Sequence, residues 1–257
     1  MKIAVCGKGG SGKSTVVTLL ANEALARGYQ VLVVDSDESN SGLYRMLSFA
    51  RPPIPLMELV GGKKSLKQKM GQPSVLSESQ IAIKDIPEPY LVKRDGLRLV
   101  AVGKILQSLE GCACPMGVLS REFLKKLTLQ TNELVIVDME AGVEHFGRGV
   151  ETSIDSVLMV VEPPLESVEV AQKIYYLAKG LGIRNIWAIL NKVTSDDIAI
   201  KVGTALQRQE IQIIGRLYFD TSLFESSVEG KVPADGRAAG EIKGVLDVIL
   251  SNAGQEL

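Results

Sequence analysis

Short runs rich in Val, Ile and Leu alternate along the chain with longer segments of helical character. The runs predict strands at residues 2–6, 30–34, 97–102, 134–137, 157–161, 186–190 and 211–215. A further strand at 90–93 is expected to pair with 97–102 across the Asp95-Gly96 turn. Helices are predicted at 16–26, 116–129, 165–181, 198–208 and 239–250. This order predicts an α/β fold with a single doubly wound, mostly parallel sheet flanked by helices.

Residues 51–89, rich in Pro, Lys and Ser, interrupt the alternation. We expect them to form an irregular insertion across the carboxyl ends of the strands, within one domain that spans residues 1–257. A variable surface excursion is the alternative.

Composition narrows the class of protein. A formal net charge of −1 gives no indication of nucleic acid or an anionic membrane as a partner. The sequence contains no apolar run of the length that spans a bilayer and no recognisable secretion signal. Three cysteines indicate a reducing compartment, so we expect a cytoplasmic protein without disulfides.

A glycine-rich segment near the N-terminus matches the phosphate-loop pattern G-x-x-x-x-G-K-[ST]. Its residues are Gly7, Lys8, Gly9, Gly10, Ser11, Gly12, Lys13, Ser14 and Thr15. The segment lies between a predicted strand and a predicted helix, so its backbone N–H groups and the helix dipole can hold a phosphate. Lys13 is expected to bind the terminal phosphates of ATP, and the Ser14 hydroxyl to bind Mg²⁺. The motif and its context therefore predict a P-loop ATPase that binds ATP, ADP and Mg²⁺.

Two acidic segments follow predicted strands and should reach the same edge of the sheet. In the first, Asp35 can hold the magnesium shell through water, and Asp37 can orient the water that attacks the terminal phosphate. A solvated helix cap is the alternative for this segment. In the second, Asp138 is the expected second-shell magnesium ligand, and the backbone N–H of Gly142 can lie near the terminal phosphate. Glu140 is either a salt-bridge partner at a dimer surface or solvated.

A third segment suggests a base-recognition site. Asn191 and Lys192 follow a late strand, where the Asn amide can pair with adenine and the Lys stem can cover the ring. An Asn that only forms a turn is the alternative.

The segment Gly111-Cys112-Ala113-Cys114-Pro115 places two thiols next to a predicted helix N-terminus. This position favours thiolates, which select Ni²⁺, Zn²⁺ or an iron–sulfur unit. One pair cannot complete a four-sulfur tetrahedron, but two copies across a twofold axis can. A redox dithiol and incidental cysteines remain alternatives. Cys6 is predicted to be a core residue, and the single histidine, His145, either an ordinary polar residue or a transient metal ligand.

The loop from Lys8 to Ser14 resembles the deviant Walker A motif of the superfamily of MinD, ParA and the nitrogenase iron protein. Three segments extend the resemblance to the CooC-type ATPases that mature nickel carbon monoxide dehydrogenase: Val34-Asp35-Ser36-Asp37, the cysteine segment, and Asp138-Met139-Glu140-Ala141-Gly142-Val143-Glu144-His145. The resemblance implies a nucleotide-sandwich homodimer in which Lys8 reaches the partner's ATP. It also implies an intersubunit nickel or zinc site at Cys112 and Cys114.

The leading functional hypothesis is therefore an ATPase whose nucleotide state gates a metal site and loads nickel into a client. The client would be a carbon monoxide dehydrogenase or an acetyl-CoA synthase-type enzyme, as the resemblance implies. One alternative is a metal carrier or store with incidental ATPase activity. Another is an iron–sulfur reductase similar to the nitrogenase iron protein.

Overall fold

The computed structural model describes residues 1–69, 72, 74–104, 114–233 and 235–253. Within these ranges the strands are β1 (Lys2–Gly7), β2 (Gln30–Asp35), β3 (Ile81–Ala82), β4 (Val92–Arg94), β5 (Leu97–Ala101), β6 (Leu127–Thr128), β7 (Glu133–Asp138), β8 (Ser156–Val161), β9 (Asn185–Val193) and β10 (Gln212–Tyr218). The helices are α1 (Lys13–Ala26), α2 (Leu43–Met46), α3 (Leu56–Leu59), α4 (Gly62–Lys69), α5 (Cys114–Lys126), α6 (Glu144–Gly147), α7 (Leu165–Gly180), α8 (Asp196–Gln207), α9 (Thr221–Val228) and α10 (Arg237–Ala253).

Eight of the described strands form one sheet in the order β10-β9-β8-β1-β7-β2-β5-β4. Neighbouring strands are parallel except at one edge, where β4 pairs antiparallel with β5. Both the doubly wound sheet and the edge hairpin predicted from the sequence are confirmed. Because the parallel strands end at one edge, Asp35 of β2 and Asp138 of β7 are direct register partners there.

The sheet has a buried apolar layer on each face, as expected for strands covered by helices on both sides. Alternate residues of β1 serve the two layers. Ala4 and Cys6 face the layer that includes α5 and α7, whereas Ile3 and Val5 face the layer that includes α1 and α10. The predicted core position of Cys6 is confirmed, since its side chain is fully buried.

The helix predicted at 116–129 begins and ends earlier than expected. It starts at Cys114 and ends at Lys126, where the chain extends into the short strand β6. Leu127 and Thr128 pair with Ile81 and Ala82 of β3. The pairing with β3 stabilises an extended conformation at Leu127 and Thr128, although the preceding residues continue a helical sequence pattern. The β-branched Thr128 favours the extended conformation.

The segment 51–89 carries more structure than the predicted irregular insertion. It contains α3 and α4, and apolar side chains such as Leu56, Met57 and Leu66 are buried in the layer that includes α5. The Met57 backbone N–H donates to the carbonyl of Val102, 3.0 Å away and directly after β5. The segment thus lies beside the carboxyl end of β5, whose last residue pairs with Asp35.

Candidate functional site

The phosphate loop connects β1 to α1 at the carboxyl edge of the sheet. Helix α1 begins after Gly12 without a side chain that caps its first N–H groups, and its first turn contains no acidic residue. Uncapped N–H groups at a helix N-terminus bind anions. Lys13 is buried, and its Nζ atom lies 3.3 Å from the carbonyl oxygen of Lys8. The loop therefore has the donors and the positive charge that a phosphate requires.

Residues near the carboxyl end of β9 hold this loop in place. The side-chain amide of Asn191 donates to the carbonyl of Ser11 at 2.7 Å, and the Lys192 ammonium donates to the carbonyl of Gly10 at 2.5 Å. Gly12 has a φ of +95°, and a Cβ at that position would collide with the Asn191 amide, so only glycine fits there. The Asn191 amide is therefore already hydrogen-bonded to the phosphate loop. The predicted adenine contact of Asn191 and Lys192 stays a prediction.

Glu162, which the sequence analysis did not single out, lies between two lysines of the site. Its carboxylate is 3.5 Å from Lys8 Nζ and 3.3 Å from Lys192 Nζ. Glu162 directly follows a buried strand, at the sheet edge that carries the phosphate loop. That position could have identified it from the sequence. The Lys8 side chain is 36% exposed, so this loose pair leaves it able to reach other partners.

The candidate magnesium ligand Ser14 is oriented by two neighbours. Its hydroxyl donates to Asp138 Oδ2 at 2.6 Å and accepts from the Asn40 side-chain amide at 2.8 Å. These bonds connect the phosphate loop to both acidic segments. Three of the residues predicted for one site are thus brought together, because Ser14 bonds to Asp138, and Asp138 is the register partner of Asp35 on the neighbouring strand.

Lys104 was also missed by the sequence analysis. Its ammonium lies 2.7 Å from Asp35 Oδ2 and donates to the carbonyls of Asp37 and Asn40. It therefore fixes the loop that follows β2. Asp37 itself closes a local turn, because its Oδ1 accepts from the Ser39 backbone N–H at 2.9 Å and the Ser39 hydroxyl at 2.6 Å.

The two strand-end aspartates carry unusual pKa values. Burial raises the pKa of Asp35 to about 6, although the Lys104 ammonium opposes the shift. Burial, together with the nearby Asp35 carboxylate, raises the pKa of Asp138 to about 7. Such values arise where negative charge is held away from water with too little positive charge beside it.

These aspartates fit a divalent cation. One carboxylate oxygen of each, Asp35 Oδ1 and Asp138 Oδ1, is buried and finds no hydrogen-bond partner within the described ranges. Carboxylate and hydroxyl oxygens with bound water are what Mg²⁺ selects in phosphate sites. Ser14 would bind the ion directly, and Asp35 and Asp138 would act through its water shell.

Gly142 lies at the other side of the loop. Its backbone N–H donates to the carbonyl of Gly7 at 3.2 Å, a long bond at the start of the phosphate loop. The predicted role of Gly142 near the terminal phosphate is thus consistent with its place, since its N–H already contacts the loop that would hold that phosphate.

The cysteine pair is only partly placed. Cys112 lies outside the described residues, whereas Cys114 is the first residue of α5. The role of the two thiols stays a prediction.

Comparisons with known proteins agree with this site. Residues 2–234 match the family described as the CobQ/CobB/MinD/ParA nucleotide binding domain. An uncharacterized ATP-binding protein of Methanocaldococcus jannaschii is 47% identical over 201 residues, which cover 76% of this chain and 80% of the relative. The carbon monoxide dehydrogenase accessory protein CooC of Rhodospirillum rubrum is 35% identical over 230 residues, 87% of this chain and 85% of the relative.

A solved structure shows the same fold. The septum site-determining protein MinD of Pyrococcus horikoshii, complexed with Mg-ADP, superposes with a TM-score of 0.73 at 16% identity. The superposition covers 100% of this chain and 98% of that protein.

The site and the fold define a P-loop nucleotide-binding protein. The chain belongs to the CobQ/CobB/MinD/ParA nucleotide-binding family, and 35% identity over most of its length relates it to CooC. Across the part of the chain that the structure describes, no helix has the length and apolar character needed to cross a bilayer.

The raised pKa of Asp138 predicts a pH dependence of stability in the nucleotide-free protein. A carboxyl group whose pKa is higher in the folded state binds a proton on folding. Its contribution to the free energy of unfolding is present below about pH 4, the unfolded value, and is lost as the pH rises through about 7. Urea unfolding between pH 4 and pH 8 should show this loss, and Asp138→Asn should flatten it. An unchanged slope in the variant would contradict the assignment.

Proposed function

We propose that this chain is an ATP-hydrolysing, nucleotide-gated homodimeric metallochaperone. Its cargo would be nickel, and its client a carbon monoxide dehydrogenase or an acetyl-CoA synthase-type enzyme. The observation that carries the proposal is the similarity to a carbon monoxide dehydrogenase accessory protein over 87% of the chain. The presence of Cys112 and Cys114 in this chain supports a metal cargo.

The residues of the site divide the chemistry of hydrolysis. Lys13 and the loop N–H groups would bind and neutralise the phosphates. Bound Mg²⁺ would supply further charge neutralisation on the phosphate oxygens. Asp37 would orient water, once its side chain leaves the turn that it closes with Ser39. Lys104 holds the backbone of that turn in place through the carbonyls of Asp37 and Asn40.

Metal gating would depend on the subunits meeting. Two thiolates from one subunit bind a divalent ion weakly, whereas four from two subunits complete a tetrahedron. ATP binding would favour the dimer and hence the closed metal site. Hydrolysis would separate the subunits and open the site for transfer.

The direct test is nickel transfer to a nickel-free carbon monoxide dehydrogenase. The chaperone, loaded with Ni²⁺, is mixed with the client in the presence of ATP, ADP or a non-hydrolysable ATP analogue, and client activity is measured. We expect activation with ATP and little with the other two. Equal activation in all three would indicate a carrier without nucleotide gating. A protein that retains no nickel in any state would refute the proposal.

A further inference from the structure

A buried pair of side chains follows the phosphate-sensing segment. His145 is 2% exposed and Glu151 is fully buried. Nδ1 of His145 contacts Glu151 Oε1, and Nε2 lies 3.1 Å from the carbonyl oxygen of Gly142. A carbonyl only accepts, so Nε2 carries a proton and a second proton lies between Nδ1 and the carboxyl group. Both ring nitrogens are thus committed within the chain, which argues against the alternative of a transient metal ligand.

This pair ties Gly142 to the short 3₁₀ turn Val150–Ser153, which contains Glu151. The intervening residues include α6, so the segment 142–151 closes on itself through its own buried bonds. Breaking a buried polar pair of this kind is costly, because each partner would remain buried without its bond. We therefore expect the segment to move as one body.

Arg148 connects this body to its surroundings. Its guanidinium group lies 2.5 Å from Glu140 and 3.9 Å from Glu38, which belongs to the acidic segment after β2. Glu140 is thus a salt-bridge partner within its own chain. A partly buried arginine that pairs with carboxylates of two acidic segments holds both segments in fixed positions.

The Arg148 side chain also packs against the first turns of α5. A Cβ built at Gly117 would approach the Cδ atom of Arg148 to 2.5 Å, so the arginine stem fits only because residue 117 is glycine. Arg121, one turn further along α5, donates to the carbonyl of Arg148 at 3.0 Å. The segment 142–151 therefore packs against α5.

We propose that His145, Glu151 and Arg148 are positioning residues that transmit the nucleotide-dependent position of Gly142 to α5. We expect the N–H of Gly142 to change acceptor with nucleotide state, because its present acceptor, the Gly7 carbonyl at 3.2 Å, belongs to the phosphate loop itself and the bond is at the upper end of the usual range. We expect a displacement of Gly142 to reach Gly117, three positions after Cys114, through the contacts of His145 and Arg148. The proposal rests on the proposed function only in taking α5 as the helix that carries a metal-binding thiolate.

Hydrogen exchange on the full chain tests this transmission. Exchange is followed by mass spectrometry with Mg²⁺ and either ADP or a non-hydrolysable ATP analogue. In the native protein, peptides from residues 116–126 should exchange at different rates in the two states. Arg148→Met should reduce that difference by about threefold or more, the scale on which residues along a coupling route act. The affinity for both nucleotides should stay within about threefold.

Two further variants separate transmission from a general structural role. His145→Leu removes both bonds of the ring and should also reduce the difference in α5. Glu151→Gln keeps a donor for Nδ1 and should retain it. Arg94→Met removes an exposed arginine from the edge strand β4 and is the matched control. Peptides from β1 and β7 report global stability in every variant.

Two outcomes would overturn the proposal. One is a native protein whose α5 exchanges alike in both nucleotide states. The other is a full native response in both Arg148→Met and His145→Leu. If α5 responds as expected and yet no nickel binds in any state, transmission stands and the metallochaperone function fails.

Discussion

Lys13→Ala should abolish tight binding of ATP. The native side chain is buried at the N-terminus of α1, and its ammonium is held beside the carbonyl of Lys8. Its charge lies against the phosphate loop, so bound phosphates would lose a cation that the loop provides. Truncating one member of a buried charge pair costs about 2–5 kcal/mol, so we expect the Kd for Mg-ATP to rise about 10²-fold or more.

Isothermal titration calorimetry measures this loss directly. Lys93→Ala, which removes an exposed lysine from the edge strand β4, is a suitable control because that strand lies at the far edge of the sheet. Native affinity in Lys13→Ala would place the phosphates elsewhere.

Lys8→Ala should behave differently, since we expect its target on the partner subunit. Among the described residues, the Lys8 ammonium forms only a loose ion pair, with Glu162. Nucleotide binding should therefore survive, whereas hydrolysis and ATP-dependent dimerisation are lost. Size-exclusion chromatography with light scattering and a phosphate-release assay check the two effects. Native turnover in this variant would refute the sandwich arrangement.

Much of the fold could be read from the sequence because parallel strands leave a strong pattern. Buried β-branched runs gave the strands of the main sheet, and the shared direction of β2 and β7 placed Asp35 beside Asp138. The phosphate loop could also be predicted, since the spacing of its residues is set by the contacts that a single local turn makes with a phosphate. The end of α5 could not, because pairing between β3 and β6 depends on residues 46 positions apart along the chain, such as Ile81 and Leu127.

The contacts that complete the site could not be predicted from the sequence, because they too depend on tertiary packing. Lys104 reaches Asp35 from a different strand end, and no local pattern indicates that its side chain turns toward the acidic loop. The pair of His145 and Glu151 lies within one segment, yet its burial depends on the helices that cover it. Polar residues of this kind look solvated until the tertiary packing is known.

Cys112→Ala and Cys114→Ala should each abolish high-affinity binding of Ni²⁺ while nucleotide binding survives. Cys114 is the first described residue of α5, and the sequence predicts that both thiols lie near a helix N-terminus, a position that favours thiolates. With ATP we expect about one metal ion per dimer, because four thiolates from two subunits close one tetrahedral site. Dimer and metal should favour each other, since coupling between two binding equilibria is reciprocal.

Cys6→Ala provides the matched control for these variants. The Cys6 thiol is fully buried in β1, and burial raises its pKa well above the usual range, which favours the protonated thiol over the thiolate that binds metals. Metal analysis after gel filtration, with and without ATP, should give native nickel content in Cys6→Ala and almost none in the other two variants. One ion per monomer, unchanged by replacing Cys112 or Cys114, would remove the intersubunit site. The coupling between nucleotide and metal would then lose its structural basis, because no shared ligand set would require the two subunits to meet.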